Sequence, residues 1–240
     1  YQVQIIVKDL KGNTSEIKIP VIGKPNNALF IKKPDTTAYV VKRGVFHKYK
    51  QNGVTIAFPK NTFYKDIYLD FSVKNNVATI HRPNVPLDKR FTITFDSTLY
   101  KKADLDQLYI ANINNKRYAN YQNTKKKADK VYTTTKTLGK YTLKIDNQKP
   151  KIYNSNFKKN AWLTGLTYLR IKISDAQSGI KSYDAYIDDE WVLMEYDLKK
   201  KRLSYDFRDK KLVGSKHIFK LVVSDNVGNT NTYTNTFYRK

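Results

Sequence analysis

Residues Lys220 to Thr230 have the sequence Lys-Leu-Val-Val-Ser-Asp-Asn-Val-Gly-Asn-Thr, and this stretch decides how the last part of the chain folds. An apolar run ends at Asp225, and Gly228 begins an alternating segment that continues to Tyr238. An Asp at the start of a turn accepts hydrogen bonds from the backbone that follows it, and a Gly adopts the left-handed conformation without a Cβ clash. The pattern therefore predicts a β-hairpin.

The same turn residues occur near residue 1, in the segment Ile5-Ile6-Val7-Lys8-Asp9-Leu10-Lys11-Gly12-Asn13-Thr14. Asp, Gly, Asn and Thr have the same spacing in both segments, and each set follows an apolar run. A repeat of this sort indicates repeated modules of one architecture. Because almost nothing precedes the first copy, we expect residues 1–24 to be the terminal hairpin of a truncated preceding β-domain.

The composition indicates a folded, β-rich and strongly basic protein. Hydrophobic residues make up 40% of the chain and aromatic residues 13%, and β-branched and aromatic residues dominate the apolar runs. There is no cysteine, which excludes disulfides and zinc–thiolate sites. No apolar segment approaches the roughly 20 residues needed to cross a bilayer, so we predict no transmembrane segment.

The formal net charge of +24 has two explanations that the sequence leaves open. One is a solvated, Lys-rich surface. The other is contact with an anionic polymer such as cell-wall material, lipid head groups or nucleic acid. Lys greatly outnumbers Arg, which favours point-charge attraction over bidentate recognition of phosphate or base edges. Because the charge is spread along the chain and no nucleic-acid-binding motif occurs, we predict no specific nucleic-acid partner.

Two further β-units are predicted after the first hairpin. Short alternating segments separated by turn residues predict a middle β-sandwich over residues 25–147, with 101–107 as a helical turn and the lysine-rich segment 123–130 as a loop tip. Residues 148–240 are predicted to form an immunoglobulin-like β-sandwich. Its seven predicted strands are Lys151–Tyr153, Leu166–Ile173, Ile180–Ile187, Trp191–Tyr196, Arg202–Phe207, His217–Val223 and Asn229–Tyr238. The predicted fold class is all-β: tandem antiparallel β-sandwiches, the C-terminal one immunoglobulin-like, preceded by a partial β-domain.

The sequence offers no catalytic residues. Its three histidines, His47, His81 and His217, form neither a His-x-His nor a His-Glu-x-x-His spacing. There is no cysteine nucleophile and no Gly-x-Ser-x-Gly elbow. The acidic run Asp188-Asp189-Glu190 is predicted to be a polar turn, because neighbouring strand residues point to opposite faces and a glycosidase needs carboxylates that face each other. We therefore predict no catalytic site, no cofactor and no enzymatic activity for this chain.

Asp175 and Asp225 are the candidate calcium ligands. Each ends an apolar strand, and in an immunoglobulin-like order the loops that follow the second and sixth strands lie at the same end of the sandwich. Two carboxylates there would suit Ca²⁺. Turn capping explains both residues without a metal, and we favour this interpretation, so the expected metal content is none.

The two tryptophans, Trp162 and Trp191, have two interpretations as well. With the many tyrosines they would suit a platform on which sugar rings stack. Scattered over a sandwich, most aromatic residues are better explained as core residues and cross-strand partners. The sequence does not identify a ligand.

Several segments resemble the C-terminal region of envelope M23-family (LytM/lysostaphin-like) metallopeptidases of Bacteroidetes-type bacteria. The likeness covers essentially the whole chain and is specific in its last third. The segments that carry it are Trp191-Val192-Leu193-Met194-Glu195-Tyr196-Asp197, Leu203-Ser204-Tyr205-Asp206-Phe207, Val223-Ser224-Asp225-Asn226-Val227-Gly228-Asn229, Thr236-Phe237-Tyr238-Arg239-Lys240, Phe58-Pro59-Lys60-Asn61-Thr62-Phe63-Tyr64, Asp70-Phe71-Ser72-Val73-Lys74-Asn75 and Leu138-Gly139-Lys140-Tyr141-Thr142-Leu143.

The resemblance implies a non-catalytic accessory tail. The family's zinc ligands belong to a His-x-x-x-Asp and a His-x-His motif in an N-terminal catalytic domain; neither motif occurs here, so zinc is expected only in the parent's missing catalytic domain. The parent would cleave peptidoglycan cross-links in the periplasm, in the envelope or at the cell surface. The tail would serve binding, positioning or protein–protein interaction, with peptidoglycan, another anionic envelope polymer or other envelope proteins as partners. The alternative is an adhesin-like or envelope-assembly spacer without an enzymatic parent.

Overall fold

A computed structural model describes residues 1–23, 36–98, 100–115 and 117–240. The chain divides into two compact units, residues 1–36 and 37–240. The predicted all-β fold class is confirmed, because nearly all regular structure consists of antiparallel strands. A 3₁₀ helix, Lys102–Gln107, occupies the predicted helical turn. None of the helical structure in the described ranges is long and apolar enough to span a membrane.

The first unit contains one hairpin. Strands β1 (Gln2–Lys8) and β2 (Thr14–Pro20) pair antiparallel along their full length, from Gln2 opposite Pro20 to Lys8 opposite Thr14. Every residue of both strands is exposed. The pairing therefore depends on the turn and on the backbone ladder, which alone stabilise a two-stranded hairpin only marginally in water.

Two five-stranded sheets form a sandwich in the first part of the second unit, with strand orders β11-β10-β14-β8-β7 and β12-β13-β9-β5-β4. A separate two-stranded sheet pairs β3 with β6. The strands are β3 (Tyr39–Val41), β4 (His47–Gln51), β5 (Val54–Phe58), β6 (Ile67–Leu69), β7 (Phe71–Lys74), β8 (Val77–Ile80), β9 (Phe91–Asp96), β10 (Leu108–Asn112), β11 (Asn120–Tyr121), β12 (Lys125–Lys127), β13 (Lys130–Thr135) and β14 (Gly139–Ile145).

The inward side chains of these strands form the first apolar core. In β5 and β9 every second residue is buried, which is the period of a strand that covers a core with one face. Phe58 stacks on Phe91 across the sheet with ring centroids 4.9 Å apart.

The remaining strands form a second sandwich around its own apolar core. They are β15 (Lys151–Tyr153), β16 (Ala161–Trp162), β17 (Tyr168–Ser174), β18 (Ile180–Ile187), β19 (Glu190–Val192), β20 (Glu195–Asp197), β21 (Arg202–Asp206), β22 (Lys216–Asp225) and β23 (Thr230–Tyr238). The sheets have the orders β15-β17-β21-β20 and β16-β23-β22-β18-β19. In the first sheet, β15, β17, β21 and β20 correspond to strands A, B, E and D of an immunoglobulin domain. In the second sheet, β23, β22 and β18 correspond to strands G, F and C.

Two local predictions differ from the structure. The predicted single strand Trp191–Tyr196 is two strands, because β19 pairs with β18 in one sheet and β20 pairs with β21 in the other. The chain therefore crosses between the sheets at Leu193 and Met194. The predicted loop tip at Lys125–Lys127 contains an edge strand, β12, which pairs with β13. All three lysines are exposed, so no apolar alternation indicated a strand.

Candidate functional site

The three histidines lie in three different surroundings. His47 accepts a hydrogen bond at Nε2 from the Lys42 backbone N–H, 2.9 Å away. The Nδ1 of His81 lies 3.2 Å from a carboxylate oxygen of Asp70. The buried His217 places Nδ1 2.7 Å from Asp188 Oδ2. In the part of the chain that the structure describes, none of the three histidines belongs to a group of side chains close enough together to hold a metal ion.

The acidic run Asp188-Asp189-Glu190 lies at the turn between β18 and β19. Asp188 and Asp189 have φ angles of 52° and 63°, and Ile187 lies opposite Glu190 in the ladder, so the two aspartates form a two-residue hairpin turn. Asp188 Oδ1 also accepts the Ile218 backbone N–H at 2.8 Å. The run positions a hairpin and its neighbouring strand. Asp188 and Glu190 also line a small cavity with Lys210 and Lys211, and Glu190 forms an ion pair with Lys210 there.

Asp175 and Asp225 are brought together, and Asp146 joins them. One carboxylate oxygen from each of the three lies within 4.8 Å of the others. Asp146 and Asp225 are fully buried, and Asp175 is partly buried. Asp146 directly follows β14 of the first sandwich, whereas Asp175 follows β17 and Asp225 is the last residue of β22 in the second. The carboxylate cluster, defined as these three aspartates, therefore lies where the two sandwiches meet.

Asp225 and Asp175 cap their turns in the same way. Asp225 Oδ1 accepts the backbone N–H groups of Val227 and Asn229 at 3.0 and 2.9 Å. Asp175 Oδ1 accepts those of Gln177 and Gly179 at 2.9 and 2.7 Å. The two residues thus bind the second and fourth N–H groups that follow them, which is the side-chain–backbone pattern that the sequence predicts for a capped turn.

Asp146 connects the two sandwiches. Its Oδ2 accepts the Ser178 backbone N–H at 2.9 Å, and its own carbonyl accepts the side-chain amide of Asn229 at 2.8 Å. Asn229 also donates to the Gln148 carbonyl at 3.2 Å and to Asp225 Oδ2 at 2.7 Å. A single side-chain amide therefore links the turn after β22 to the segment that enters the second sandwich.

The negative charge of the cluster acts on Tyr109. This tyrosine is buried in β10, and burial, together with the charges of Asp146 and Asp175, raises its pKa to about 12. Both causes disfavour the phenolate. Tyr109 therefore stays a neutral phenol next to the carboxylates at any physiological pH.

Within the described ranges, no Lys, Arg or His forms an ion pair with the cluster. Backbone and amide N–H groups stabilise the carboxylates instead, and such bonds to an ionised acceptor are stronger than those between neutral groups. The arrangement thus holds two sandwiches together at one point. Its oxygens are also of the type that Ca²⁺ prefers, which is why it is the candidate metal centre of the chain.

Asp146 was not among the predicted site residues; it lies next to the predicted boundary between residues 25–147 and 148–240. The signal was present: Lys-Ile-Asp-Asn at 144–147 repeats the pattern of an apolar strand that ends in Asp, as at Asp175 and Asp225. What the sequence did not contain was the distance between the loops, because that depends on how two separate sandwiches meet.

Both tryptophans are exposed. Trp162 is 59% exposed and Trp191 is 57% exposed, whereas several tyrosines and phenylalanines are fully buried in the cores. Trp162 lies beside Tyr238, with ring centroids 5.2 Å apart. Trp191 lies opposite Tyr186 in the ladder. The two tryptophans occupy opposite edge strands, β16 and β19, of the same sheet.

Part of this architecture has a recognisable family likeness. Residues 38–146 match the family model of the Zu5-like domain. The Zu5-like region begins just before β3 and ends at Asp146, so one member of the carboxylate cluster is its last residue. No curated protein matches the chain.

Proposed function

We propose that this chain is a non-catalytic β-sandwich tail of a cell-envelope M23-family zinc endopeptidase that acts on peptidoglycan. The tail serves binding, positioning or protein–protein interaction in the periplasm, in the envelope or at the cell surface. The sequence resemblance to such tails supports the enzymatic parent. The observation that carries the binding role is the exposure of Trp162 and Trp191 on one sheet whose inner face is fully packed.

The chemistry of the described side chains fits a binding role. The grouped carboxylates accept backbone N–H bonds, and the buried His217 is held by Asp188, so these groups serve the fold. Trp162 and Trp191 are more than half exposed, and aromatic side chains are enriched at binding interfaces, so these two rings are the candidates for contact with a ligand.

Tethering explains how such a tail would help a hydrolase. A bound tail converts the encounter of enzyme and polymer into a nearly intramolecular event and so raises the local enzyme concentration. The net charge of +24 adds an attraction to anionic envelope material that salt weakens, because the Debye length is about 8 Å at physiological ionic strength.

The test compares the parent enzyme with and without the segment equivalent to residues 28–240. The substrates are intact cell wall and a small soluble cross-link peptide. We expect truncation to slow the reaction on cell wall and to leave the reaction on the peptide unchanged. The slowing on cell wall should become smaller as the salt concentration rises. Equal losses on both substrates would show that the sandwiches only keep the catalytic domain folded.

A second candidate is an adhesin-like or envelope-assembly spacer without an enzymatic parent. The observation that favours it is the hydrogen-bonded junction at Asp146, because a spacer needs modules held in a fixed arrangement. The sequence that precedes residue 1 separates the two candidates. A His-x-x-x-Asp motif and a His-x-His motif there would support the peptidase, and further Asp-capped β-modules would support the spacer.

A further inference from the structure

One corner of the second sandwich combines exposed aromatic rings with lysines. We define the Trp162 corner as Trp162, Tyr238, Lys216 and Lys240. Trp162 and Tyr238 are partners in the parallel β16–β23 ladder, and Tyr238 lies opposite Lys216 in the β22–β23 ladder. Because Phe237 points into the core, its neighbour Tyr238 and both ladder partners of Tyr238 lie on the outer face.

Hydrogen bonds hold the backbone that carries the two rings in place. The Leu163 backbone N–H donates to the Tyr238 carbonyl at 2.7 Å, and the Asn160 N–H donates to the Thr236 carbonyl at 2.8 Å. Arg239 donates to the carbonyls of Leu163 and Leu166, and its guanidinium lies 4.1 Å from the centre of the Phe207 ring. The platform is therefore formed before any ligand arrives, which lowers the entropy that binding must overcome.

The corner is positively charged. Lys240 Nζ lies 5.8 Å from the centre of the Trp162 ring, and the turn before β16 adds the exposed Lys158 and Lys159. The three segments that form the corner, residues 158–164, 214–218 and 236–240, contain no Asp or Glu. Asp188 reaches the middle segment from the turn after β18, where its two oxygens contact the His217 ring and the Ile218 N–H.

A row of hydroxyl groups extends from the corner along β23. Every second residue of this strand faces outward, and after Tyr238 these residues are Thr236, Thr234, Thr232 and Thr230. Residues two apart on a strand are about 6.7 Å apart. Lys220 lies opposite Thr234, so the hydroxyl row also has a lysine beside it.

We propose that the Trp162 corner and the threonine row of β23 bind an anionic polysaccharide, a proposal that rests on the envelope-binding function above. The apolar face of a sugar ring stacks on Trp162 and Tyr238, as amphipathic rings stack on aromatic side chains. The threonine hydroxyls bind sugar hydroxyls, and Lys216, Lys220 and Lys240 attract the carboxylates of the polymer. Lysines, which are compact point charges, suit the scattered carboxylates of a polysaccharide better than the planar bidentate recognition typical of nucleic-acid sites.

The chain supplies a matched control at the opposite edge of the same sheet. Trp191 has nearly the same exposure as Trp162 and also lies beside a tyrosine, Tyr186. It follows the acidic run Asp188-Asp189-Glu190 directly, and this edge has mixed charge, because Glu190 is paired with Lys210 and Lys220 Nζ lies 5.9 Å from the centre of the Tyr186 ring. A comparison of the two tryptophans therefore separates exposure of an aromatic ring from its position at the acid-free corner.

The experiment measures the binding of chain 1–240 to short alginate chains, which carry one carboxylate per sugar, by isothermal titration calorimetry. Dextran serves as the neutral polysaccharide and a single-stranded oligonucleotide as the alternative polyanion. The variants are Trp162→Ala, Trp162→Tyr, Trp191→Ala and the double variant Lys216→Ala/Lys240→Ala. Thermal melting of each variant establishes that it is folded. Co-sedimentation with purified peptidoglycan is measured in parallel and tests the proposed function separately.

We expect Trp162→Ala to weaken alginate binding about tenfold or more, Trp162→Tyr to keep most of the affinity, and Trp191→Ala to change it less than about twofold. The lysine double variant should weaken alginate binding and reduce its salt dependence.

Three results would each overturn the proposal: equal effects of Trp162→Ala and Trp191→Ala, tighter binding of dextran than of alginate, or tighter binding of the oligonucleotide than of alginate. If Trp162→Ala still co-sediments with peptidoglycan and the wild-type protein does not bind alginate, the proposal is wrong and the envelope function is still supported. Loss of wild-type co-sedimentation would contradict that function itself.

Discussion

The turns at Asp9 and at Asp225 have the same hydrogen bonds in very different surroundings. Asp9 Oδ1 accepts the N–H groups of Lys11 and Asn13, both at 2.9 Å, and its Oδ2 accepts the Asn13 side-chain amide at 2.7 Å. At Asp225 the corresponding three distances are 3.0, 2.9 and 2.7 Å. The glycines Gly12 and Gly228 have φ angles of 86° and 98°. The sequence repeat therefore encodes one local geometry twice.

The surroundings of the two turns differ. Asp9 and every residue near it are exposed, whereas Asp225 is fully buried. In the second copy the side-chain amide of Asn229 also donates to the carbonyls of Asp146 and Gln148. The short motif therefore determines the geometry of the turn, and burial determines how much the stability of the protein depends on that turn.

The largest effect is expected for Asp225→Ala. Removal of the buried carboxylate leaves the partly buried N–H groups of Val227 and Asn229 without acceptors. We expect the free energy of unfolding of the sandwiches to fall by about 2 to 4 kcal/mol, more than for an exposed cap, because partly buried donors without acceptors carry a desolvation cost. Urea denaturation followed by tryptophan fluorescence measures the change.

Asp225→Asn is the control for that variant, because its amide oxygen can still accept the two backbone N–H groups. It should therefore lose less stability than Asp225→Ala. A loss below about 1 kcal/mol in Asp225→Ala would mean that the buried and exposed copies are energetically alike.

The next effect is expected for Asn229→Ala, with Asn13→Ala as its matched control in the exposed copy. Asn229 makes two bonds that leave its own turn, to Asp146 and Gln148, whereas Asn13 binds Asp9 within the turn. We expect Asn229→Ala to cost about 1 to 2 kcal/mol and to separate the melting of the two sandwiches into two transitions in calorimetry. A single unshifted transition would show that the amide does not couple them.

A third effect appears only at alkaline pH. Because the folded-state pKa of Tyr109 is raised to about 12, above the ordinary value of 10, the neutral phenol stabilises the fold. This contribution is complete below about pH 10 and disappears as the pH rises through about 12. Stability measured across this range should fall less steeply in Tyr109→Phe than in wild type, and identical slopes would exclude the effect. The exposed copy has no such neighbour.

The smallest effect is expected for Asp9→Ala. Its carboxylate pKa is lowered by the hydrogen bonds from Asn13, so ionised Asp9 stabilises the turn above the ordinary value of 3.8, and this is lost as the pH falls through the folded-state pKa. We expect Asp9→Ala to leave the unfolding midpoint of the sandwiches unchanged and to speed hydrogen exchange only in β1 and β2. A shift of that midpoint comparable to the shift in Asp225→Ala would contradict the comparison.

Sequence patterns predicted the strands that bury one face. Ile180–Ile187 has the predicted bounds. β22 is longer than predicted by one residue at its start and two at its end, whereas β23 begins one residue later than predicted and ends at the predicted Tyr238. The patterns did not predict β16, because two residues carry no period and the pairing partner lies far away in the sequence. The crossing between sheets at Leu193 was hidden for a similar reason, since alternation does not identify the sheet that a strand joins.

The candidate site was predictable only in part. Capping identified Asp175 and Asp225, because hydrogen bonds to the next few residues depend on local sequence. The proximity of Asp146 and the exposure of Trp162 depend on long-range packing, which one sequence does not encode in a local pattern. The all-β composition even favoured a buried position for the tryptophans, since aromatic residues usually fill the cores of sandwiches.

Calcium binding tests most directly the claim that turn capping, and not a metal, accounts for the carboxylate cluster. The exposed Asp9 turn makes the same three bonds, and within the described residues Asp9 belongs to no group of three possible metal ligands, so the bonds at Asp225 need no ion. Thermal melting of wild type and Asp225→Ala is measured with a chelator and with millimolar Ca²⁺. If turn capping explains the cluster, the melting temperature of each protein is the same with and without Ca²⁺. A rise of several degrees in wild type that Asp225→Ala abolishes would contradict it and establish a calcium site.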